Sequence, residues 1–179
     1  MKKIFSLIVL VMLINTTSSC ESDDICDPDT PTTPRLSITF YDDKFALKPV
    51  TNLRVQGAGM EDPLPLFNGV STIQVPLNIS ENSAKYGFTL NYDANNPDNP
   101  NTFTDTLEFN YTRQTLYVSR ACGYKMNFTL NPNDSIPRPV ILNNNPDVLV
   151  DGNWMKLIQV IDYNVINENE TQINIYYKY

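Results

Sequence analysis

The chain has 179 residues, 13 Lys and Arg against 20 Asp and Glu, a formal net charge of −7, and no histidine. A negative surface repels phosphate backbones, which argues against nucleic acid as a partner. The missing imidazole excludes Ser–His–Asp and Cys–His nucleophile systems and removes the commonest transition-metal ligand.

The N-terminus has the layout of a secretory signal: Lys2 and Lys3, an apolar run from Ile4 to Ile14, then a small polar stretch ending in Ser18, Ser19 and Cys20. The apolar run is about half of the roughly 20 residues that span a bilayer, so a permanent transmembrane helix is not expected. Ser18-Ser19-Cys20 resembles a lipobox, the bacterial lipoprotein signal, with Thr17 departing from the Leu usual at that position. The resemblance implies a signal over 1–19, cleavage, and a diacylglyceryl group on Cys20. An ordinary cleaved signal with an incidental cysteine is the alternative. Glu21, Ser22, Asp23 and Asp24 resemble the acidic export signal of surface lipoproteins in the phylum Bacteroidota; a solvated acidic linker is the plainer reading.

Residues 20–34 read as a lipidated tether, acidic at first and then interrupted by Pro28, Pro31 and Pro34. There are three cysteines. Lipid on Cys20 leaves Cys26 and Cys122 as an even pair in an oxidising compartment, and a disulfide between them is expected over two free thiols. Six residue steps separate Cys20 from Cys26, a reach of roughly 20 Å at most.

Residues 35–179 read as a single β domain. Period-two alternation marks its strands: Leu36, Ile38 and Phe40; Thr51, Leu53 and Val55; Ile73, Val75 and Leu77; Tyr86, Phe88, Leu90 and Tyr92; Leu107, Phe109 and Tyr111; Tyr124, Met126, Phe128 and Leu130. Trp154 to Ile166 is apolar on both faces and reads as one long buried strand, or one with a bulge. A turn at 167–170 returns it as Ile173, Ile175, Tyr177 and Tyr179, a C-terminal hairpin. Turns are expected at Gly57–Gly59, Asn68–Gly69, Arg113–Gln114, 93–101 and 131–147. The fold class is all-β: an antiparallel β-sandwich or partly closed barrel of about nine strands.

No motif for catalysis emerges, and no enzyme activity and no cofactor are expected. Asp42, Asp43, Glu61, Asp62, Glu108 and Asp162 are the carboxylates a glycoside hydrolase would need, but nothing pairs them, so a carboxylate-dependent hydrolase is a remote alternative. Asn143, Asn145, Asp147 and Asp151 offer oxygens for calcium. Val148 and Trp154 stand where an EF-hand needs Gly and Glu, and no metal site is expected. In Ser119-Arg120-Ala121-Cys122-Gly123-Tyr124, Arg120 is a candidate contact for a ligand carboxylate or phosphate; pairing with an acidic neighbour is the preferred reading. Asp105-Thr106-Leu107 and Asp134-Ser135-Ile136 resemble the O-glycosylation motif of Bacteroidota, making Thr106 and Ser135 candidate sites.

Phe67-Asn68-Gly69-Val70-Ser71-Thr72, Phe109-Asn110-Tyr111-Thr112 and Tyr117-Val118-Ser119-Arg120-Ala121-Cys122-Gly123-Tyr124 together resemble an uncharacterised family of Bacteroidota lipoproteins, a domain of unknown function. The resemblance implies an envelope lipoprotein with a β-rich domain and supplies no catalytic residues. The expected role is a non-enzymatic structural or accessory binding module, anchored to the outer membrane through Cys20, with an envelope protein or a glycan as partner. It would face the cell surface or, alternatively, the periplasm. A surface lipoprotein binding glycan or peptide is the second reading; it requires exposed aromatic faces, for which Tyr41, Tyr117 and Tyr176 are candidates.

Overall fold

The computed structural model describes residues 25–96, 99–145 and 152–178. The signal segment, Cys20, the acidic run Glu21 to Asp24, and Asp147, Asp151 and Tyr179 lie outside the described residues. The chain forms two compact units: residues 25–30 with 117–124, and residues 31–116 with 125–178.

Ten strands and no helix occur among the described residues. In chain order they are β1 (Leu36–Tyr41), β2 (Arg54–Gly57), β3 (Thr72–Val75), β4 (Ser83–Leu90), β5 (Phe103–Ser119), β6 (Gly123–Leu130), β7 (Val140–Leu142), β8 (Met155–Val160), β9 (Asn164–Val165) and β10 (Ile173–Tyr177). One sheet has the order β3-β1-β10-β8, the other β2-β4-β5-β6-β9 with β7 beside β5. The fold is all-β and sandwich-like, and the sheets do not close into a barrel.

The larger unit holds one continuous apolar core. Its inward rows are those the alternation indicates: Leu36, Ile38 and Phe40 on β1, Tyr86, Phe88 and Leu90 on β4, Leu107, Phe109 and Tyr111 around β5, and Ile173 and Ile175 on β10. β-Branched and aromatic side chains fill these positions because they fit a pleated, half-buried surface. Ile38 lies opposite both Ile73 and Ile173, and Phe40 opposite Ile175. Trp154 stacks on Phe40, and Tyr177 meets both rings edge-on.

The structure departs from the sequence reading at five places. β1 and β10 pair in parallel rather than antiparallel; β1 sits between β3 and β10, and the intervening strands supply the long connection that a parallel pair requires. The outer face of β1 is also covered. Thr39 Oγ1 lies 3.0 Å from Thr72 Oγ1 and 2.8 Å from Thr171 Oγ1, and Ser37 N–H donates to Gln172 Oε1. Arg113–Gln114 is not a turn: β5 runs straight through it to Ser119. Thr112 to Thr115 are exposed yet extended, so their polarity resembles that of a loop. β7 lies inside the Asn/Pro-rich stretch, with Val140 and Leu142 buried against β5.

The fifth departure concerns Trp154 to Ile166, which is two strands in different sheets. β8 pairs with β10 and β9 pairs with β6. The chain changes sheet between them, leaving Ile161 and Ile166 exposed while Ile158 and Val165 stay buried. β8 and β10 are antiparallel neighbours, as the C-terminal strands were expected to be, but the connection between them passes through β9.

Two buried phenols give this core a measurable alkaline limit. Tyr111 Oη donates to the Asn78 carbonyl and Tyr177 Oη to the Pro49 carbonyl, and burial pushes both pKa values up to about 12. An unfolded tyrosine ionises near pH 10. The neutral phenols therefore stabilise the fold fully below about pH 10, and that contribution is lost as pH rises toward 12. Of the ten tyrosines, these two should resist ionisation longest in an ultraviolet phenolate titration. Complete titration near pH 10 with the fold intact would contradict the burial.

Candidate functional site

The cysteine-bearing unit is built from a tight turn and a strand reversal. Thr30 N–H donates to the Asp27 carbonyl, and Asp29 N–H to Asp27 Oδ1, so the proline-containing segment closes on itself. Between β5 and β6, Cys122 N–H donates to Ser119 Oγ, and Gly123 takes φ +71°, which glycine adopts without a Cβ penalty. Cys26 and Cys122 are disulfide-bonded, with Cα atoms 4.9 Å apart. Thr30 Oγ1 lies 3.6 Å from Cys122 Sγ.

An open, mostly polar cleft of about 410 Å³ sits beside the bridge, lined by Ile25, Asp27, Thr30, Tyr117, Ser119 and Arg120. Three side chains stand well into solvent: Ile25 at 80%, Tyr117 at 60% and Tyr124 at 69% exposure. The two tyrosine rings meet edge to face, 5.3 Å apart. Tyr124 was expected to face inward with Met126, Phe128 and Leu130. Instead Tyr124, the second residue of β6, is exposed, Met126 packs partly against the core, and only Phe128 and Leu130 of that row are buried. Arg120 is exposed and makes no ion pair among the described residues, which do not include the acidic run Glu21 to Asp24.

The other candidates are dispersed. Asp42 accepts from the N–H groups of Lys44 and Ala46 within its own turn, which holds its carboxyl below the usual range. Glu61 and Asp62 stand in an exposed loop, Glu108 lies 3.9 Å from Lys85, and Asp162 accepts from Asn164. Among the described residues no three His, Cys, Asp or Glu side chains gather as metal ligands. Asn143, one of the oxygen donors weighed for calcium, spends its amide on Thr106 N–H and Asp105. Ser135 Oγ lies within hydrogen-bonding distance of the Pro132 and Pro137 carbonyls, and Asp134 beside it is exposed. Thr106 is half-buried, but its motif partner Asp105 is wholly buried.

Tyr176 is buried. It stacks on Tyr41 at 5.4 Å while Phe45 covers it edge-on at 5.1 Å. The flat exposed tyrosine platform expected for a glycan is therefore incomplete there. A second cleft, of about 520 Å³, is lined by Leu64, Phe67, Val70, Ile73 and Pro76, next to β3, the end strand of its sheet. Arg35 at this cleft is held by Glu168 through a two-point contact at 2.8 and 2.7 Å. The guanidinium keeps the Glu168 carboxyl below its ordinary range.

Asp105 is the residue that the sequence reading missed. Its carboxylate is fully buried in β5 and accepts four hydrogen bonds. Oδ1 takes Asn143 Nδ2–H and Asn153 N–H, each at 2.7 Å; Oδ2 takes the N–H groups of Trp154 and Met155, each at 2.9 Å. A Cβ on Gly152 would lie 2.7 Å from Oδ2. The signal was available: two residues before Leu107 in the inward row falls Asp105. Every lone pair is directed at the chain's own donors, so the group ties β5 to the start of β8 across the two sheets.

The model of a family of unknown function, DUF6452, matches residues 52–177. The chain belongs to that family. The DUF6452 match takes in β2 to β10, Asp105, Arg120 and Cys122; β1 and Cys26 precede it. No curated protein and no solved structure matches the chain.

Proposed function

We propose that this DUF6452 chain is an envelope lipoprotein of the Bacteroidota type. On this reading it is exported on the signal 1–19, anchored to the outer membrane by lipid on Cys20, and serves as a non-enzymatic structural or accessory binding module. The observation that carries the reading is the Cys26–Cys122 disulfide. Such bonds belong to oxidising compartments outside the cytosol. The bridge also uses two of the three cysteines, which leaves Cys20, the residue that the lipobox resemblance singles out, with no cysteine partner in the chain.

The test is fractionation of cells producing the natural chain or Cys20→Ala. The natural protein should float with membranes and carry a diacylglyceryl mass on its N-terminal peptide, and the variant should be released. Equal membrane partitioning of the two would defeat the lipoprotein reading. Crosslinking in intact membranes tests the module reading, since a protein recovered without partners would count against it.

A further inference from the structure

We infer that the disulfide-bonded turn is a membrane-contact surface: Tyr117, Tyr124, Ile25 and Arg120 rest at the headgroup boundary of a glycerophospholipid bilayer. The inference rests on the lipid anchor proposed above and adds a place where the protein itself meets the lipid.

Proximity comes first. Ile25 is bonded to Cys26, and Cys26 is held to Cys122 between Arg120 and Tyr124. Only six residue steps connect the anchoring Cys20 to Cys26, so the bridge can stand no more than roughly 20 Å along the chain from the acylated residue. This is about two-thirds of the thickness of a bilayer's hydrocarbon core, roughly 30 Å. A longer tether would leave this surface free of the membrane; this one keeps it in reach.

The chemistry fits the same surface. Tyrosine collects at membrane interfaces because its ring is apolar and its hydroxyl stays wet, and both tyrosines here are mostly exposed. Ile25, at 80% exposure, contributes an apolar side chain that stands in solvent. Arg120 is exposed, and a guanidinium matches a phosphate diester through paired N–H donors. The acidic residues near Cys26 in sequence, Glu21, Asp23, Asp24, Asp27 and Asp29, oppose a strongly anionic surface, as does a net charge of −9 once the signal with Lys2 and Lys3 is removed (11 Lys and Arg against 20 Asp and Glu). Zwitterionic lipid is therefore the preferred partner, and the contact depends on the anchor to bring it about.

The chain's single tryptophan, Trp154, is fully buried, so an indole placed at the turn reports alone. Lipidated, disulfide-bonded protein carrying Tyr124→Trp, and separately Tyr117→Trp, would be reconstituted in phosphatidylcholine vesicles with and without brominated acyl chains. The introduced indole should lose most of its emission on the brominated lipid, while the unsubstituted protein, reporting Trp154, keeps its emission. If both variants float with the vesicles yet are quenched no more than the unsubstituted protein, the contact is overturned and the anchor stands. Protein that does not float at all overturns both.

Discussion

Asp105→Ala should lower the unfolding free energy by about 2–6 kcal/mol, read as a shift in the denaturant midpoint. The substitution strands four donors that the buried carboxylate now satisfies. Two of the donors, the N–H groups of Trp154 and Met155, are buried; each unsatisfied buried donor costs about 1–3 kcal/mol, and domains of this size have only about 5–15 kcal/mol in total. Asp105→Asn separates the roles of shape and of acceptors. The amide keeps one oxygen for two donors and turns an NH₂ toward the other two. Asn143 cannot flip to compensate, because its own Oδ1 holds Thr106 N–H. The Asn variant should therefore recover no more than half of the loss. A near-natural midpoint for Asp105→Asn would show that acceptor count does not govern this site.

The double variant Cys26→Ser with Cys122→Ser should cost about 2–4 kcal/mol in the same measurement. The bridge joins residues 96 apart, and the chain-entropy account assigns about 4–5 kcal/mol to closing a loop of that length, of which measured bridges usually deliver less. Non-reducing mass spectrometry of the mature chain should find no alkylatable thiol at either position. An unchanged midpoint in the double variant would mean that the unfolded chain gains no freedom from losing the link.

Most of the core was legible because inward positions recur every second residue. Leu36, Ile38 and Phe40, or Leu107, Phe109 and Tyr111, need no tertiary knowledge to be grouped. The same rule extended by two residues reaches Asp105; a carboxylate was passed over in a row of hydrophobes because charge ordinarily means solvent. The pairing of Cys26 with Cys122 was likewise open to counting. What alternation does not encode is which sheet a strand joins, so β8 and β9 ran together as one apolar strand. Nor does it mark an exposed strand: Thr112 to Thr115 are polar on both faces and extended. β7 is short and framed by prolines and asparagines, which concealed Val140 and Leu142. Tyr124 fell in register with Phe128 yet lies beyond the core, because periodicity shows a face and not the point at which the interior ends.

The parallel pairing of β1 with β10 carries a consequence for timing. Ser37 and Gln172, which exchange hydrogen bonds beside that pair, are 135 residues apart. β1 cannot acquire this neighbour until every strand between has been synthesised, and contacts so distant in sequence slow folding because their loop entropy is spent before they form. Until then β1, a strongly apolar segment near the start of the domain, has one edge open. The interval between making Leu36 and making Ile175 is therefore the period in which this chain is most exposed to pairing with the wrong partner.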